Sequence, residues 1–371
     1  MNKPRDKAFL VILRPHTKPR EFLRESYEEM KELAESALVR VLGFETQSID
    51  RPSPSHYIRE GKLEEVRRQA KEAGANVLIF NTNLSPAQIR NIEKFAGIPA
   101  VDRTGLILDI FGRRAKSAEG KLQVELARLN YMLPRLGGLG VVLSRLGGGV
   151  GSSGPGETEL ETDRRKFRLR IKRVKEELEQ VRQRRGLIRA GRKRKNLATG
   201  AIVGYTNAGK STLLHVLTGA DAYIEDKMFA TLDPKSSLCR LGDGASVLLI
   251  DTVGFLRDLP HALVEAFHAT LEEVSEADFL IHVLDVSDPD AWEHKQSVAE
   301  VLKELGAGEK PQLLVLNKAD QLNPEIAASI QSRWPEGLLI SARERTGLEP
   351  LLKQLEKFEP GTFPSPPRGE G

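Results

Sequence analysis

Apolar residues recur along this 371-residue chain with two periods, and the changes of period divide it. Residues 7–14 form a short apolar run that reads as a buried strand. Over residues 22–42 charged and apolar positions alternate at helical period, with Leu23, Tyr27, Met30, Leu33, Ala34, Ala37 and Leu38 near one face. GFETQSI reads as a strand, RPSPS as a loop, residues 61–73 as a charged helix and NVLIF as a short buried strand. Ser85-Pro86 offers an N-cap and a first-turn proline to PAQIRNIEKFAG. This alternation predicts an N-terminal α/β domain with a largely parallel sheet over residues 1–115.

Past Asp109 the period becomes purely helical. Leu122, Leu126, Leu129, Met132 or Leu133, and Leu136 recur at spacings of three and four, and Phe167, Ile171, Val174, Leu178 and Val181 do the same. Two long helices with narrow apolar seams predict an antiparallel helical hairpin over residues 116–196; the other arrangement packs each helix separately on the α/β domain. From residue 197 the strand-like runs AIVGY, SVLLIDT, DFLIHVLDV, QLLVLNK and GLLISA alternate with helical stretches, as in a doubly wound sheet over residues 197–358. The Pro- and Gly-rich residues 359–371 read as a disordered tail.

Glycine raises the first question of chemistry. Gly149, Gly151 and Gly154 spell G-x-G-x-x-G, but they follow a leucine-seamed helix, not a strand, so they lack the setting of a dinucleotide fingerprint. Nine glycines stand between Gly137 and Gly156, and Thr158-x-x-Glu161 after them fits a capping box. The run reads as the tip of the hairpin, with a disordered linker as the other reading. The phosphate loop lies further on. GYTNAGKS, residues 204–211, fits G-x-x-x-x-G-K-[ST] between a strand and a helix. Gly204, Asn207, Ala208, Gly209 and Thr212 belong to a backbone cradle for phosphate, with the helix N-terminus adding partial positive charge. Lys210 is expected to reach the β and γ phosphates and Ser211 to ligate Mg2+.

Four segments follow in order. In FATLDP, Thr231 can sense the γ phosphate and complete the Mg2+ shell. In DTVG, Asp251 can hold a Mg2+ water and the Gly254 N–H can face the γ phosphate. In NKAD (Asn317, Lys318, Asp320), the aspartate can accept both N1–H and the exocyclic amine of guanine while the lysine stem covers the base. Ser341 and Ala342 offer backbone N–H groups to the guanine O6. Each segment closes a predicted strand, where open α/β sheets bind ligands. His268, His282 and His294 have no metal-ligand spacing, and Asp285 and Asp288 read as turn and cap residues.

Charge matters by distribution. The net charge is only +4, yet residues 164–195 hold sixteen Lys or Arg against three Glu, a density that suits a polyanion such as nucleic acid. Arg164, Arg165, Arg192, Lys193, Arg194 and Lys195 bracket that block and, with Gly147, Gly148, Gly149 and Gly151, are the candidate RNA contacts. Aromatic residues are sparse there, which favours backbone and shape recognition over base stacking. The lone Cys239 excludes an intrachain disulfide and fits a reducing cytosol. No apolar run approaches a membrane span, so the reading is cytoplasmic; a peripheral contact of the basic helix with an anionic membrane has weaker support.

The five ordered segments resemble the translation-factor-related GTPases. With GSSGPGETELETDRR ahead of the basic helix and Phe255 after DTVG, nearly the whole chain resembles the HflX family of ribosome-associated GTPases. The resemblance implies GTP in place of ATP, slow hydrolysis stimulated by ribosomes, the large ribosomal subunit and its RNA as partners, a monomer, and the separation of stalled or idle ribosomes into subunits. The alternative is a nucleotide-switched RNA-binding scaffold in subunit assembly. Phe255 stands where small GTPases carry the water-orienting Gln, so water must be positioned by backbone, loops or a partner. GTPases with Asn where this chain has Asn207 use it toward a monovalent cation, so K+ is a further expectation.

Overall fold

A computed structural model of the chain describes residues 6–136, 156–194, 197–219, 228–229, 232–257 and 271–358; the side chains at 156–160, 185, 187–194 and 243 are not described. Two compact units result, Met1–Leu178 and Glu179–Gly371.

In the first unit β1 (Lys7–Pro15), α1 (Phe22–Ser36), β2 (Arg40–Ile49), α2 (Glu60–Glu72), β3 (Val77–Phe80), α3 (Pro86–Ala96), β4 (Ala100–Val101) and α4 (Arg103–Arg114) alternate along the chain. The sheet order is β2-β1-β3-β4, and every pairing is parallel. β1 is central, and residues Ala8 to Leu13 are all buried, as expected of a parallel strand covered on both faces. α3 starts on a full capping box: Gln88 N donates to Ser85 Oγ and Ser85 N donates to Gln88 Oε1. The predicted helix over 22–42 is too long. It stops at Ser36, Leu38 turns to a left-handed φ of 61°, and Arg40 N bonds to Asp6 O. β-branched Val39 and Val41 suit the strand that begins there.

α5 (Ala118–Met132) and the 39-residue α6 (Gly156–Arg194) follow. Along α6 the seam is visible: Val174 is buried and Phe167, Ile171 and Leu178 are half-buried between exposed charged residues. Arg170 donates from Nε and a terminal nitrogen to the two oxygens of Glu125 on α5, at 2.6 and 2.7 Å. α6 includes Gly156 and Glu157, so Thr158 lies inside its first turn and not at its cap. Gly147, Gly148, Gly149, Gly151 and Lys195 lie outside the described residues.

One polar side chain organises the ends of β3 and β4. Asp102 is fully buried and accepts from Leu84 N, Gly105 N, Tyr131 Oη and the Arg135 guanidinium. The Arg135 guanidinium also lies 3.5 Å over the Tyr131 ring. Removing a partner from such a pair leaves a charge uncompensated, which costs far more than the intact pair is worth.

The second unit is built on a six-stranded sheet from β5 (Thr199–Gly204), β6 (Lys235–Arg240), β7 (Ser246–Asp251), β8 (Phe279–Asp285), β9 (Gln312–Asn317) and β10 (Leu338–Leu339), in the order β10-β9-β8-β5-β7-β6. Only β6 is antiparallel. α7 (Lys210–Thr218), α8 (Ala291–Glu304), α9 (Pro324–Arg333) and α10 (Leu348–Leu355) complete it. Alternate residues of β8 face different clusters: Phe279, Ile281 and Val283 pack with Leu213, Leu214 and Leu351, whereas Leu284 packs with Trp334. β6 escapes the sequence reading because it is an edge strand with only Cys239 buried. Asp102→Ala is expected to cost about 3–5 kcal/mol, seen as a lowered unfolding transition in circular dichroism, with Asp102→Asn milder; a loss below about 1 kcal/mol would contradict this reading of the hub.

Candidate nucleotide site

The carboxyl ends of β5, β7, β8 and β9 bring the sequence-predicted segments together. β5 delivers Gly204 and the loop that wraps to α7. Two residues of the turn have left-handed backbone, Asn207 (φ 62°) and Gly209 (φ 93°). At Gly209 a Cβ would fall 2.2 Å from Asn317 Nδ2, so glycine is required by both conformation and space. Lys210 opens α7 and is buried, and its ammonium donates to Tyr205 O at 2.7 Å. The next hydroxyl, Ser211 Oγ, donates to Asp251 Oδ2 at 2.6 Å. Asp251 ends β7, is wholly buried, and is held in register by Ile202 on β5. Thr252 then ties back through its hydroxyl to Ile202 O at 2.7 Å.

The residues after Asp251 lie against the phosphate loop. A Cβ on Gly254 would stand 2.8 Å from Thr206 Cα and 3.0 Å from Lys210 Nζ, so this glycine permits a close approach to the buried ammonium. Phe255 pairs with the loop through its backbone: its N donates to Gly204 O at 3.1 Å and its O accepts from Thr206 N at 2.8 Å. Its side chain is 1% exposed and enclosed. The ring thus takes no polar role, and the Phe255 backbone braces the loop. Thr231 lies outside the described residues.

The opposite end of the site is assembled by Asn317, which is buried. Its Nδ2 donates to Ala208 O at 2.8 Å and its Oδ1 accepts from Ala342 N at 3.0 Å, so it fastens the phosphate loop to the 341–342 segment. Lys318 adopts φ 66° and its ammonium meets Asp285 Oδ2 at 2.6 Å. Asp320 is exposed and accepts from Ser341 Oγ at 2.5 Å, while Ser341 Oγ also accepts from Glu344 N. Sequence reasoning missed two of these contributors. Asp285 is the turn residue expected, capping Ser287, but its second oxygen anchors Lys318. Tyr205 fills one of the unspecified positions of G-x-x-x-x-G-K-[ST], and its carbonyl holds the lysine. A carboxylate closing a strand beside a predicted lysine was the available signal for Asp285; for Tyr205 there was none. His282, 4% exposed, is a core histidine; burial pushes it down to about 3, so it stays neutral.

Residues 24–112 match the family described as GTP-binding GTPase N-terminal, residues 114–192 that described as GTP-binding GTPase Middle Region, and residues 199–318 that described as 50S ribosome-binding GTPase. A GTPase HflX from Caldanaerobacter subterraneus subsp. tengcongensis is 51% identical over 353 residues, covering 95% of this chain and 81% of that protein. The chain belongs to the HflX family of GTPases. The HflX of Escherichia coli (strain K12) is 44% identical over 334 residues, 89% of this chain and 78% of that one. Among solved structures, the complex of SsGBP with GDP is 29% identical and covers 95% of this chain and 98% of that one, with a TM-score of 0.52.

As an HflX-family GTPase, the chain hydrolyses GTP, and its geometry shows what its own residues contribute. Lys210 is the one cation enclosed among the described loop residues. Desolvation pushes its ammonium down to about 8, against the pull of the Asp251 carboxylate, which favours the charged form. A triphosphate beside it favours the charged form further. Nucleotide binding therefore takes up a proton above pH 8, and affinity falls as pH rises through that value. Calorimetric titration with GDP in buffers of differing ionisation enthalpy is expected to show proton uptake at pH 8.5 and little at pH 7; equal uptake at both would contradict this.

Proposed function

We propose that this GTPase acts on the ribosome: GTP binding selects a state that associates with the large ribosomal subunit, and hydrolysis ends the engagement. The observation that carries this reading is the joining of a guanine-nucleotide site to a 39-residue helix bearing a dense basic block. The match of residues 199–318 to the 50S ribosome-binding description supports the same partner. Arg165 is exposed and Arg164 half-exposed, with Arg164 near Glu161. Together with Arg192, Lys193, Arg194, Lys195 and the glycines at 147–149 and 151, they are the proposed contacts to ribosomal RNA. Binding through phosphate contacts weakens steeply as salt rises. The working organisation is an N-terminal domain over 1–115, a hairpin over 116–196 and a GTPase domain over 197–358. The protein works as a monomer in the cytoplasm. Among the described residues no helix is long and apolar enough to cross a membrane.

In the reaction, water attacks the γ-phosphorus in line, the bond to the β-phosphate oxygen breaks, and GDP and phosphate leave. Lys210 meets the charge on the phosphates, loop N–H groups cradle them, and Gly254 brings its N–H to the γ phosphate. The Ser211 hydroxyl beside the Asp251 carboxylate, both hard oxygen donors, fits a divalent ion, with Thr231 as the third proposed contributor. Mg2+ in that place supplies charge neutralisation on the phosphate oxygens. Asn207, with its left-handed backbone, is the proposed contact for K+.

Ribosome splitting is the outcome favoured by family membership. The enclosed Phe255 favours a second reading, in which hydrolysis is weak and nucleotide binding alone switches an assembly scaffold. Co-sedimentation with large subunits is expected to be strong with a non-hydrolysable GTP analogue and weak with GDP, and subunits should raise the GTPase rate. Absence of both effects would overturn the ribosomal reading. A fall in light scattering from intact ribosomes with GTP separates splitting from scaffolding.

A further inference from the structure

One aromatic residue touches both the lysine of the phosphate loop and the segment after Gly254. The carbonyl of Tyr205 accepts from the Lys210 ammonium at 2.7 Å, and its phenol oxygen accepts from Arg257 N at 3.2 Å. Its ring, 5% exposed, lies flat on the His294 imidazole of α8, with centroids 3.8 Å apart and planes 12° from parallel. The contacts close into a circuit. His294 N donates to Asp290 O at 2.9 Å, and the Asp290 carboxylate stands 3.9 Å from the Arg257 guanidinium. Asp288 adds a carboxylate 3.6 Å from His294 Nδ1 and caps Asp290 N. Asp288, Asp290 and His294 thus gather in space although their sequence spacing suggested no site.

We infer that Tyr205 is a positioning residue for GTP hydrolysis, holding residues 254–257 against the phosphate loop through its phenol oxygen while His294 fixes the plane of its ring. Gly254 is the group through which the phenol acts; the Lys210 ammonium is held by the Tyr205 backbone carbonyl, which side-chain variants at 205 and 294 leave in place. The backbone bonds of Phe255 to Gly204 and Thr206 place the segment in register, but they leave its far end to Arg257, whose N–H the phenol takes. An aromatic pair adds stiffness because stacked rings resist sliding and have few rotamers. With no Gln after Gly254, the order of this backbone is what presents N–H groups to the reacting phosphate. Asn317 is held by Ala208 and Ala342 and Asp320 by Ser341, bonds in which neither Tyr205 nor His294 takes part, so binding of the guanine moiety does not depend on the stack.

The test separates rate from affinity in the full chain. Tyr205→Phe keeps the stack and removes the acceptor. Its single-turnover rate at saturating GTP is expected to fall about fivefold, the effect of losing one ordinary hydrogen bond, while GDP affinity changes less than about twofold. His294→Ala should lower the rate similarly, and His294→Phe, which restores a ring against Tyr205, should recover most of it. A wild-type rate in Tyr205→Phe would overturn the inference. So would a loss of GDP affinity in step with rate across the three variants, since that is what a merely structural residue of the loop produces. Should Tyr205→Phe lower the melting temperature, the His294 pair decides, compared at equal folded fraction: both variants lose the Asp288 contact, and only Phe restores a ring against Tyr205.

Discussion

A lysine ammonium enclosed at the start of α7 is the constraint from which the rest of the site follows. Burying such a charge is costly unless nearby groups compensate it. Tyr205 O accepts from it, and the Asp251 carboxylate favours its charged form from the end of the neighbouring strand. The Tyr205 carbonyl comes from the same loop, and Asp251 is brought beside it because β5 and β7 pair in parallel with Ile202 opposite Asp251. The glycines are the geometric counterpart. Gly254 has no Cβ where one would crowd Thr206 and the ammonium, and Gly209 has none where one would strike Asn317. Packing, register and charge thus converge at the carboxyl ends of β5 and β7.

That arrangement divides the labour between side chains and backbone. Side chains of Lys210, Ser211 and Asp251 are held on one side of the loop, whereas Phe255 braces it through its backbone with the ring turned into the protein. A site of this kind depends on how firmly its backbone is held. The long-range bonds of Asn317, to Ala208 across 109 residues and to Ala342 across 25, provide the bracing on the base side. Lys318 is steadied by Asp285 at 2.6 Å, which fixes the course of its stem.

Much of this was legible in the sequence because it is local. The phosphate loop is eight contiguous residues, and each of the segments at Asp251, Asn317 and Ser341 follows a short apolar run that reads as a strand, although the one before Ser341 is only the half-buried Leu338–Leu339. The Ser85 N-cap and first-turn Pro86 of α3 were readable for the same reason, whereas the reciprocal bond from Ser85 N to Gln88 Oε1 was not read. What escaped reading is long-range or conformational. The stack of Tyr205 on His294 joins distant stretches that no periodicity relates. The end of α1 depends on a left-handed Leu38, which helical period does not forbid, and on the pairing of β2 with β1. β6 buries one residue and so shows no alternation worth reading. The buried Asp102 hub is long-range too: Tyr131 and Arg135, which converge on it, stand 29 and 33 residues further along the chain.

In sequence the basic α6 precedes β5, the strand that leads into the phosphate loop. Everything on the nucleotide side rests on guanine being the base that Asp320 reads. Exchange of that carboxylate for an amide tests this most directly, because it predicts a gain as well as a loss. Asn presents one acceptor and one donor, which matches xanthine and mismatches guanine. In Asp320→Asn, kcat/KM for GTP is expected to fall about hundredfold and that for xanthosine triphosphate to rise above it. An unchanged preference for GTP in a folded variant would contradict the assignment of the site.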